Sequence, residues 1–261
     1  MAIAPLLIIT FALAEPTCEV TVQDFFQTIV RALPNLLLGA GVTLVLTAVA
    51  IVLGMTLGTF IGIARLSPIP AIRWITRAYV DFFRGTPLLV QIFWIYFGFP
   101  ALSNSLGIKF TMNQWTAAIL ALTLNSAAYL AEIIRAGIQS IEIGQREASE
   151  SLGLGANQTM RYVIFPQAFR RMIPPIGNEF ITLLKDTSLV AVIGLEETFR
   201  RGQLIVAQTY QAFEVYTAVA LIYLLLTSLS SQFFTFLEKR MDPVERARRK
   251  AVSPPLRAQA E

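Results

Sequence analysis

The chain has 261 residues, of which 55% are hydrophobic and 15% are charged, and its formal net charge is +4. A soluble domain usually carries about 25% charged residues, so this chain lacks the polar groups that would cover a water-facing surface. Its mean hydropathy of +0.60 agrees with that reading. Apolar runs longer than about 18 residues are typical of membrane spans. The composition therefore predicts an integral membrane protein.

The composition also excludes several kinds of site. Because the chain has no histidine, haem ligation, a histidine-bound metal and a histidine general base are excluded. The single cysteine, Cys18, cannot form an internal disulfide or a cysteine metal cluster. No segment matches the GxxxxGK(S/T) pattern of an ATP-binding P-loop. We therefore expect no catalytic residue, no metal and no cofactor on this chain, and no nucleic-acid partner.

Residues 1–35 are predicted to form an N-terminal segment ahead of the membrane domain. Residues 1–14 are apolar but too short to span a bilayer, which takes about 20 residues. They end in a small-residue stretch that resembles a cleavage site, although a basic region before them is absent. A cleaved signal and a peripheral segment are both open. Residues 22–34 have helical spacing and predict an interfacial helix that ends near Pro34.

Apolar segments predict an all-α bundle of about five transmembrane helices within residues 36–240. The predicted spans are about 36–63, 87–106, 115–137, 175–194 and 212–237. In the first, Gly54, Gly58 and Gly62 fall on one helix face, and such faces let helix backbones approach closely in lipid. At the second, Thr86 is predicted to cap the helix and Pro87 to lie in its first turn.

The basic residues predict which side of the membrane each loop faces. Most of the 21 lysines and arginines lie in the segment before the second span, in the polar loop 139–171 and in the tail. Cytoplasmic loops carry an excess of Lys and Arg, so these segments are expected inside the cell. Five spans then place the N-terminus outside and the C-terminus in the cytoplasm. Residues 241–261 are predicted to be a disordered, basic cytoplasmic tail.

The polar loop between the third and fourth spans has a pattern of its own. Residues 141–152 predict one short helix, which Gly153 ends in the left-handed conformation. Asn157 is predicted to cap a second helix, and Pro174-Pro175 to begin the fourth span. We expect these two short helices, joined at Gly153, to form a compact unit of the loop 139–171, here called the knob, that can bind in a groove of a soluble partner. An ordinary capped loop is the alternative.

Motifs in a fixed order resemble those of a known family. Glu147-Ala148-Ser149, followed by Gly153 and Ile164-Phe165-Pro166, resembles the EAA loop of the permeases of ATP-binding-cassette (ABC) importers. The segments 84–91 (RGTPLLVQ) and 175–189 (PIGNEFITLLKDTSL) are similar to the polar amino acid uptake branch. Serine as the third EAA residue and Phe-Pro in place of Leu-Pro are small departures.

The resemblance covers about residues 36–240 and implies the transmembrane domain of a type I importer in the inner membrane. In such importers two permease chains pair, and ATPase subunits that hold ATP and Mg²⁺ dock on the cytoplasmic loops. An external binding protein delivers the amino acid substrate. The resemblance assigns Glu147, Ala148 and Gly153 to the loop that couples the permease to the ATPase. Whether the second permease is the same chain or a homologous one is open.

The fourth predicted span carries three charged residues at membrane depth. Glu179, Lys185 and Asp186 would each cost about 2.5–3.5 kcal/mol if they faced lipid. At 100° per residue, Glu179 and Asp186 lie within about 20° of each other, and Asn178, Thr182 and Lys185 extend the same side into a polar arc of about 120°. This polar face predicts either a structural ion-pair cluster or the lining of a translocation path.

If the polar face lines a path, its groups suit a zwitterionic amino acid. Glu179 or Asp186 would bind the ammonium group, Lys185 the carboxylate, and Thr182 would offer a hydrogen-bonding wall. The resemblance agrees, since some members of the family hold the amino acid within the membrane at this helix.

Two other function classes compete with the importer permease. An autonomous secondary carrier or channel is disfavoured by the few spans, by the lack of an internal repeat and by the cytoplasmic knob. A non-transporting membrane anchor would leave the polar face of the fourth span unexplained. We therefore predict a permease subunit of an ATP-driven amino acid importer, with ATP hydrolysis on its partner.

Overall fold

The computed structural model describes residues 22–241. The predictions for the signal-like stretch 1–14 and for nearly all of the basic tail 241–261 lie outside the described residues. The described chain is helical and has no strand within those bounds. In chain order the helices are α1 (Val22–Ala64), α2 (Pro70–Gly85), α3 (Leu88–Phe93), α4 (Phe99–Ser105), α5 (Gln114–Gln139), α6 (Ile143–Ser151), α7 (Ala156–Gln158), α8 (Phe165–Asp186), α9 (Thr198–Thr209) and α10 (Ala212–Met241). The π-helical turns Trp94–Gly98 and Thr159–Ile164 precede α4 and α8, and the 3₁₀-helix Thr187–Ile193 continues α8.

Four described segments are long and apolar enough to cross a membrane. They are Gln23–Ala64, Leu88–Ser105, Gln114–Gln139 and Ala212–Met241. Each contains or overlaps one of the predicted spans. The fifth prediction, 175–194, is not among them, because it is the charged end of α8 followed by the 3₁₀-helix. This segment therefore needs protein or water, and not lipid, around its polar side.

Helix α1 is continuous through Pro34, so the prediction that a separate helix ends there is wrong. Proline removes one backbone donor but is tolerated inside helices when neighbouring packing holds them. On either side of it, Ala32 and Leu36 are buried in one cluster with Ala218 and Ile222 of α10. Packing against α10 therefore helps α1 to continue past the proline.

Two other predicted helix boundaries are also displaced. Helix α8 begins at Phe165 and passes through both Pro174 and Pro175, instead of starting there. The α3 helix is capped by Pro87, and the hydroxyl of Thr86 donates to the carbonyl of Phe82 instead (2.8 Å). The amphipathic helix α2 was not predicted at all. Its Val80 and Phe83 are buried while most of its other residues are exposed.

The predicted glycine face of α1 packs directly on α5. A Cβ atom added to Gly58 would lie 2.9 Å from the carbonyl oxygen of Ala127, and one added to Gly62 would lie 2.8 Å from that of Ala131. Only glycine permits so close an approach of the two backbones. The predicted packing role of these glycines is confirmed, and it makes α5 the buried centre of the fold.

A buried carboxylate lies at the start of α9 and joins this helix to α10. Glu197 is fully buried and accepts hydrogen bonds from the backbone N–H groups of Phe199 and Arg200, both at 2.8 Å. It also accepts from the hydroxyl of Tyr223 in α10 (2.7 Å). Glu197 thus caps α9 and fixes it to α10.

Candidate functional site

A polar cavity of about 740 Å³ lies where the end of α2 meets α5 and α8. Its lining consists of Arg84, Gly85, Thr86, Pro87, Leu88, Asn125, Tyr129, Pro175, Asn178, Glu179, Thr182, Asp186 and Leu189. Four of the five residues predicted to line a path are therefore brought together here. They are Asn178, Glu179, Thr182 and Asp186, which recur on one side of α8 over about two turns.

The structure places the fifth predicted path residue, Lys185, outside this cavity. Lys185 lines a separate groove of about 540 Å³ together with Ser188 of the 3₁₀-helix, Phe199 of α9 and Tyr223 of α10. Neighbouring residues on a helix point about 100° apart, so Lys185 and Asp186 diverge toward different helices. The polar arc of α8 is too wide to face one cavity.

The cation that does line the polar cavity is Arg84, in the last turn of α2. Its guanidinium carbon lies 5.2 Å from the centre of the Tyr129 ring, a cation–π contact. Two carboxylates on α8 and one guanidinium on α2 therefore face the same space. The sequence offered one signal for Arg84, its place at the start of the segment RGTPLLVQ.

A buried amide network holds the chain around Arg84 in position. The side-chain amide of Gln91 donates to the carbonyls of Phe83 (2.9 Å) and Thr86 (3.0 Å). Its oxygen accepts a hydrogen bond from the amide of Asn125 (3.0 Å), which lines the cavity from α5. Gln91 is nearly inaccessible to solvent, so these bonds tie the turn after α2 firmly to α3 and α5.

A second, smaller cavity of about 390 Å³ adjoins the first at the other end of α5. Its lining consists of Arg84, Tyr129, Glu132, Ile133, Ala136, Gly137, Ser140, Arg171 and Pro175. The carboxylate of Glu132 forms ion pairs with both Arg65 and Arg135, and Arg171 donates to the carbonyl of Ser140.

The knob consists of α6, α7 and the π-helical turn between α5 and α8. Its second helix is not a separate short helix as predicted, because α7, the π-helical turn and α8 follow one another without a break. Helix α6 ends at Ser151, and Gly153 has a φ of +82°, which confirms the predicted left-handed residue. The second helix is capped by Gly155 and not by Asn157, because the Gln158 side chain accepts a hydrogen bond from the backbone N–H of Gly155 (3.0 Å).

The exposed face of the knob carries the predicted coupling residues. Glu147 and Ala148 are exposed, and the Glu147 side chain makes no hydrogen bond or ion pair with another residue of the described range 22–241. Two large apolar side chains, Ile143 and Leu152, are 74% and 83% exposed on the same short helix and its end. An exposed surface that mixes apolar and acidic groups is typical of a docking site.

A family model for the inner membrane component of binding-protein-dependent transport systems matches residues 54–243. This range includes both cavities and the whole knob. The chain belongs to this family. The permease is therefore a multi-pass protein of the inner membrane.

Individual relatives agree with the family match. The permease is 41% identical to the glutamine transport system permease protein of Escherichia coli, over 84% of this chain and 98% of that protein. It is 39% identical to the arginine transport system permease protein of Bacillus subtilis (84% and 95%), and 38% identical to an L-cystine transport system permease protein of the same species (84% and 90%).

Solved structures share the fold. The crystal structure of an amino acid ABC transporter with histidines has a TM-score of 0.77 and 40% identity, over 82% of this chain and 98% of that one. An inward-facing form of the MetNI methionine ABC transporter, at 21% identity and a TM-score of 0.60, shares the fold alone. The resemblance to ABC importer permeases of the polar amino acid branch is confirmed, and no relative favours the autonomous carrier or channel.

Proposed function

We propose that this permease carries a polar amino acid across the inner membrane through the polar cavity, driven by ATPase subunits that dock on the knob. The main support for the proposal is that the carboxylates of Glu179 and Asp186 on α8 line the same cavity as the guanidinium of Arg84 on α2. The volume of that space falls within the usual range of small-molecule sites, about 300–1,000 Å³. Relatives named for glutamine, arginine and L-cystine support this substrate class.

The charges suit the two ends of an amino acid. A carboxylate of Glu179 or Asp186 would bind the ammonium group, and the planar guanidinium of Arg84 would bind the carboxylate through two parallel hydrogen bonds. Thr182 and Asn178 would supply neutral hydrogen-bonding groups beside them. Because two carboxylates face one cation, the cavity favours neutral or basic side chains over acidic ones.

A second permease chain is part of the proposal, because one polar stripe of α8 stays uncovered. Asn178, Thr182 and Lys185 recur at helical spacing and are all exposed in the single chain. Exposure of such groups to lipid is costly, and an ionised lysine costs about 2.5–3.5 kcal/mol at the membrane centre. A partner permease, identical or homologous, would cover this stripe.

The exposed face of the knob supports a coupling role. Helix α6 is short and hydrogen-bonded to the following turn, so force applied at Glu147 and Ala148 would reach α5 and α8. ATP and Mg²⁺ would reside on the docked ATPase, with the knob and the C-terminus in the cytoplasm, the N-terminus outside, and a binding protein delivering substrate there.

The test is ATP hydrolysis by the permease co-expressed with its ATPase in lipid, with and without binding protein loaded with single amino acids. We expect stimulation by one loaded binding protein. A complex in which no ATPase co-purifies would contradict the proposal. Glu147→Lys is expected to abolish docking or stimulation, whereas Glu238→Lys, the same charge change at an exposed site on α10, is expected to keep both.

A further inference from the structure

The two cavities of the permease meet at three residues. Arg84, Tyr129 and Pro175 line both of them, and each residue comes from a different helix, α2, α5 and α8. Residues that line two adjoining cavities form the wall or the passage between them. A solute that moves directly from one cavity to the other therefore passes beside this set.

The cavities together follow the seam between α5 and α8. Along α5 the lining runs from Asn125 to Ser140, and along α8 it runs from Asp186 back to Arg171. Both stretches cover fifteen steps of the helix, which rise about 22 Å at 1.5 Å per residue. This length is a large part of the roughly 30 Å of a bilayer's hydrocarbon core. The pair of cavities therefore has the extent of a path. The shared residues lie between its ends, with Tyr129 four steps from Asn125 and Pro175 four steps from Arg171.

The Arg84–Tyr129 contact is weak and reversible, and it is not a packed core. The guanidinium of Arg84 lies over the Tyr129 ring at 5.2 Å, and Arg84 is exposed while Tyr129 is half-buried. Because Arg84 is exposed, its side chain has room to leave the ring.

The charges change sign across this contact. The larger cavity holds the carboxylates of Glu179 and Asp186. In the smaller cavity the carboxylate of Glu132 is already balanced by two arginines, so Arg171 dominates there. A substrate whose ammonium group is held by α8 would present its carboxylate toward Arg84, and beyond it toward Arg171.

We propose that the Arg84–Tyr129 contact is the inner gate of the translocation path. The gate is closed while the guanidinium rests on the ring. It opens when Arg84 turns to the carboxylate of the bound amino acid, which then passes carboxylate first into the smaller cavity. This proposal rests on the proposed function, since it assumes that the larger cavity holds an amino acid.

The gate is tested with the complete transporter in vesicles preloaded with a radiolabelled amino acid, by following its loss without ATP. Tyr129→Ala is expected to raise this leak about tenfold, the change expected when a contact of cation–π strength no longer holds the closed state. Tyr129→Phe keeps an aromatic face and is expected to restore a low leak. Arg84→Met is expected to leak as Tyr129→Ala does.

The outcomes separate the gate from the proposed function. A wild-type complex that takes up no amino acid overturns the proposed function itself. If the wild type takes up amino acid, and the Tyr129→Ala and Arg84→Met variants lose it no faster than the wild type, the gate proposal is contradicted while the proposed function stands. If the Tyr129→Ala variant fails to assemble with the ATPase, the leak of the Arg84→Met variant tests the gate instead, because Arg84 is exposed and its substitution should not disturb folding.

Discussion

The hydroxyls of Ser149 and Thr159 are hydrogen-bonded to each other across 3.0 Å, and both side chains are buried. This bond joins α6 to the π-helical turn before α8, and the Ser149 hydroxyl also contacts the carbonyl of Arg146 (2.7 Å). The departure from the EAA motif at residue 149 therefore adds a link inside the knob. An alanine there would pack in the same space but would leave the Thr159 hydroxyl without this partner.

The Ser149–Thr159 bond is expected to stabilise the knob by about 1 kcal/mol, the usual net value of such a bond. We expect Ser149→Ala and Thr159→Ala each to lower the thermal unfolding midpoint of the purified complex. The double variant should cost less than the sum of the two, because the bond is lost only once. Additive costs in this cycle would show that the two hydroxyls are not coupled.

Gly58 and Gly41 offer a matched pair on the same helix. Alanine at Gly58 would bring its Cβ to 2.9 Å from the backbone of α5, whereas at Gly41 it would meet nothing within 4 Å. We expect Gly58→Ala to destabilise the permease by about 1–3 kcal/mol, the range for overpacking a tight contact. Gly41→Ala should be neutral or slightly stabilising, since alanine favours helix. The yield of folded protein in detergent and its unfolding midpoint measure both, and equal behaviour of the two variants would contradict the α1–α5 seam.

The sequence could predict those structural features that depend on the spacing of residues along a single helix. The glycine face of α1, the left-handed Gly153 and the polar side of α8 all follow from local periodicity or from one residue's conformational range. The interruption expected at Pro34 did not occur, because α10 packs across that position. Such contacts between distant segments are not visible in a local pattern.

The remainder of the site depends on how helices are rotated against each other. Periodicity placed Lys185 and Asp186 on one polar arc, but the neighbours of α8 direct them to different spaces. Arg84 belongs to α2, whose buried side is only Val80 and Phe83, a weak signal in sequence. Glu197 gave no signal as a buried group, because its burial and its bond to Tyr223 depend on α10.

Arg84 and Lys185 are the two cations that compete for the substrate carboxylate. If Arg84 binds it, Arg84→Met removes a charge-assisted hydrogen bond, and the KM for amino acid uptake should rise at least about tenfold. Lys185→Met should impair uptake less, because Lys185 lies outside the polar cavity. Uptake of radiolabelled amino acid is measured beside the yield of complex with the ATPase, which both variants should retain. A larger rise in KM for Lys185→Met than for Arg84→Met would show that Lys185 binds the substrate carboxylate, as the sequence predicted.

The capping carboxylate of Glu197 is expected to determine the stability of the bundle where α9 begins. In Glu197→Ala the N–H groups of Phe199 and Arg200 and the Tyr223 hydroxyl all lose their acceptor in a buried place. Each unsatisfied group costs about 1–3 kcal/mol, so the variant should unfold at a clearly lower temperature or fail to accumulate.

Two milder variants separate the capping role from the link to α10. Tyr223→Phe removes one donor and leaves the cap of α9 intact, so its unfolding midpoint should lie between those of wild type and Glu197→Ala. Glu197→Gln keeps one acceptor oxygen and should also be intermediate. The hydroxyls of Thr43 and Thr198, which bond at 2.8 Å beside this cap, still join α9 to α1 in every variant. If Tyr223→Phe were as damaging as Glu197→Ala, the contact with α10, and not the helix cap, would be the main contribution of the carboxylate.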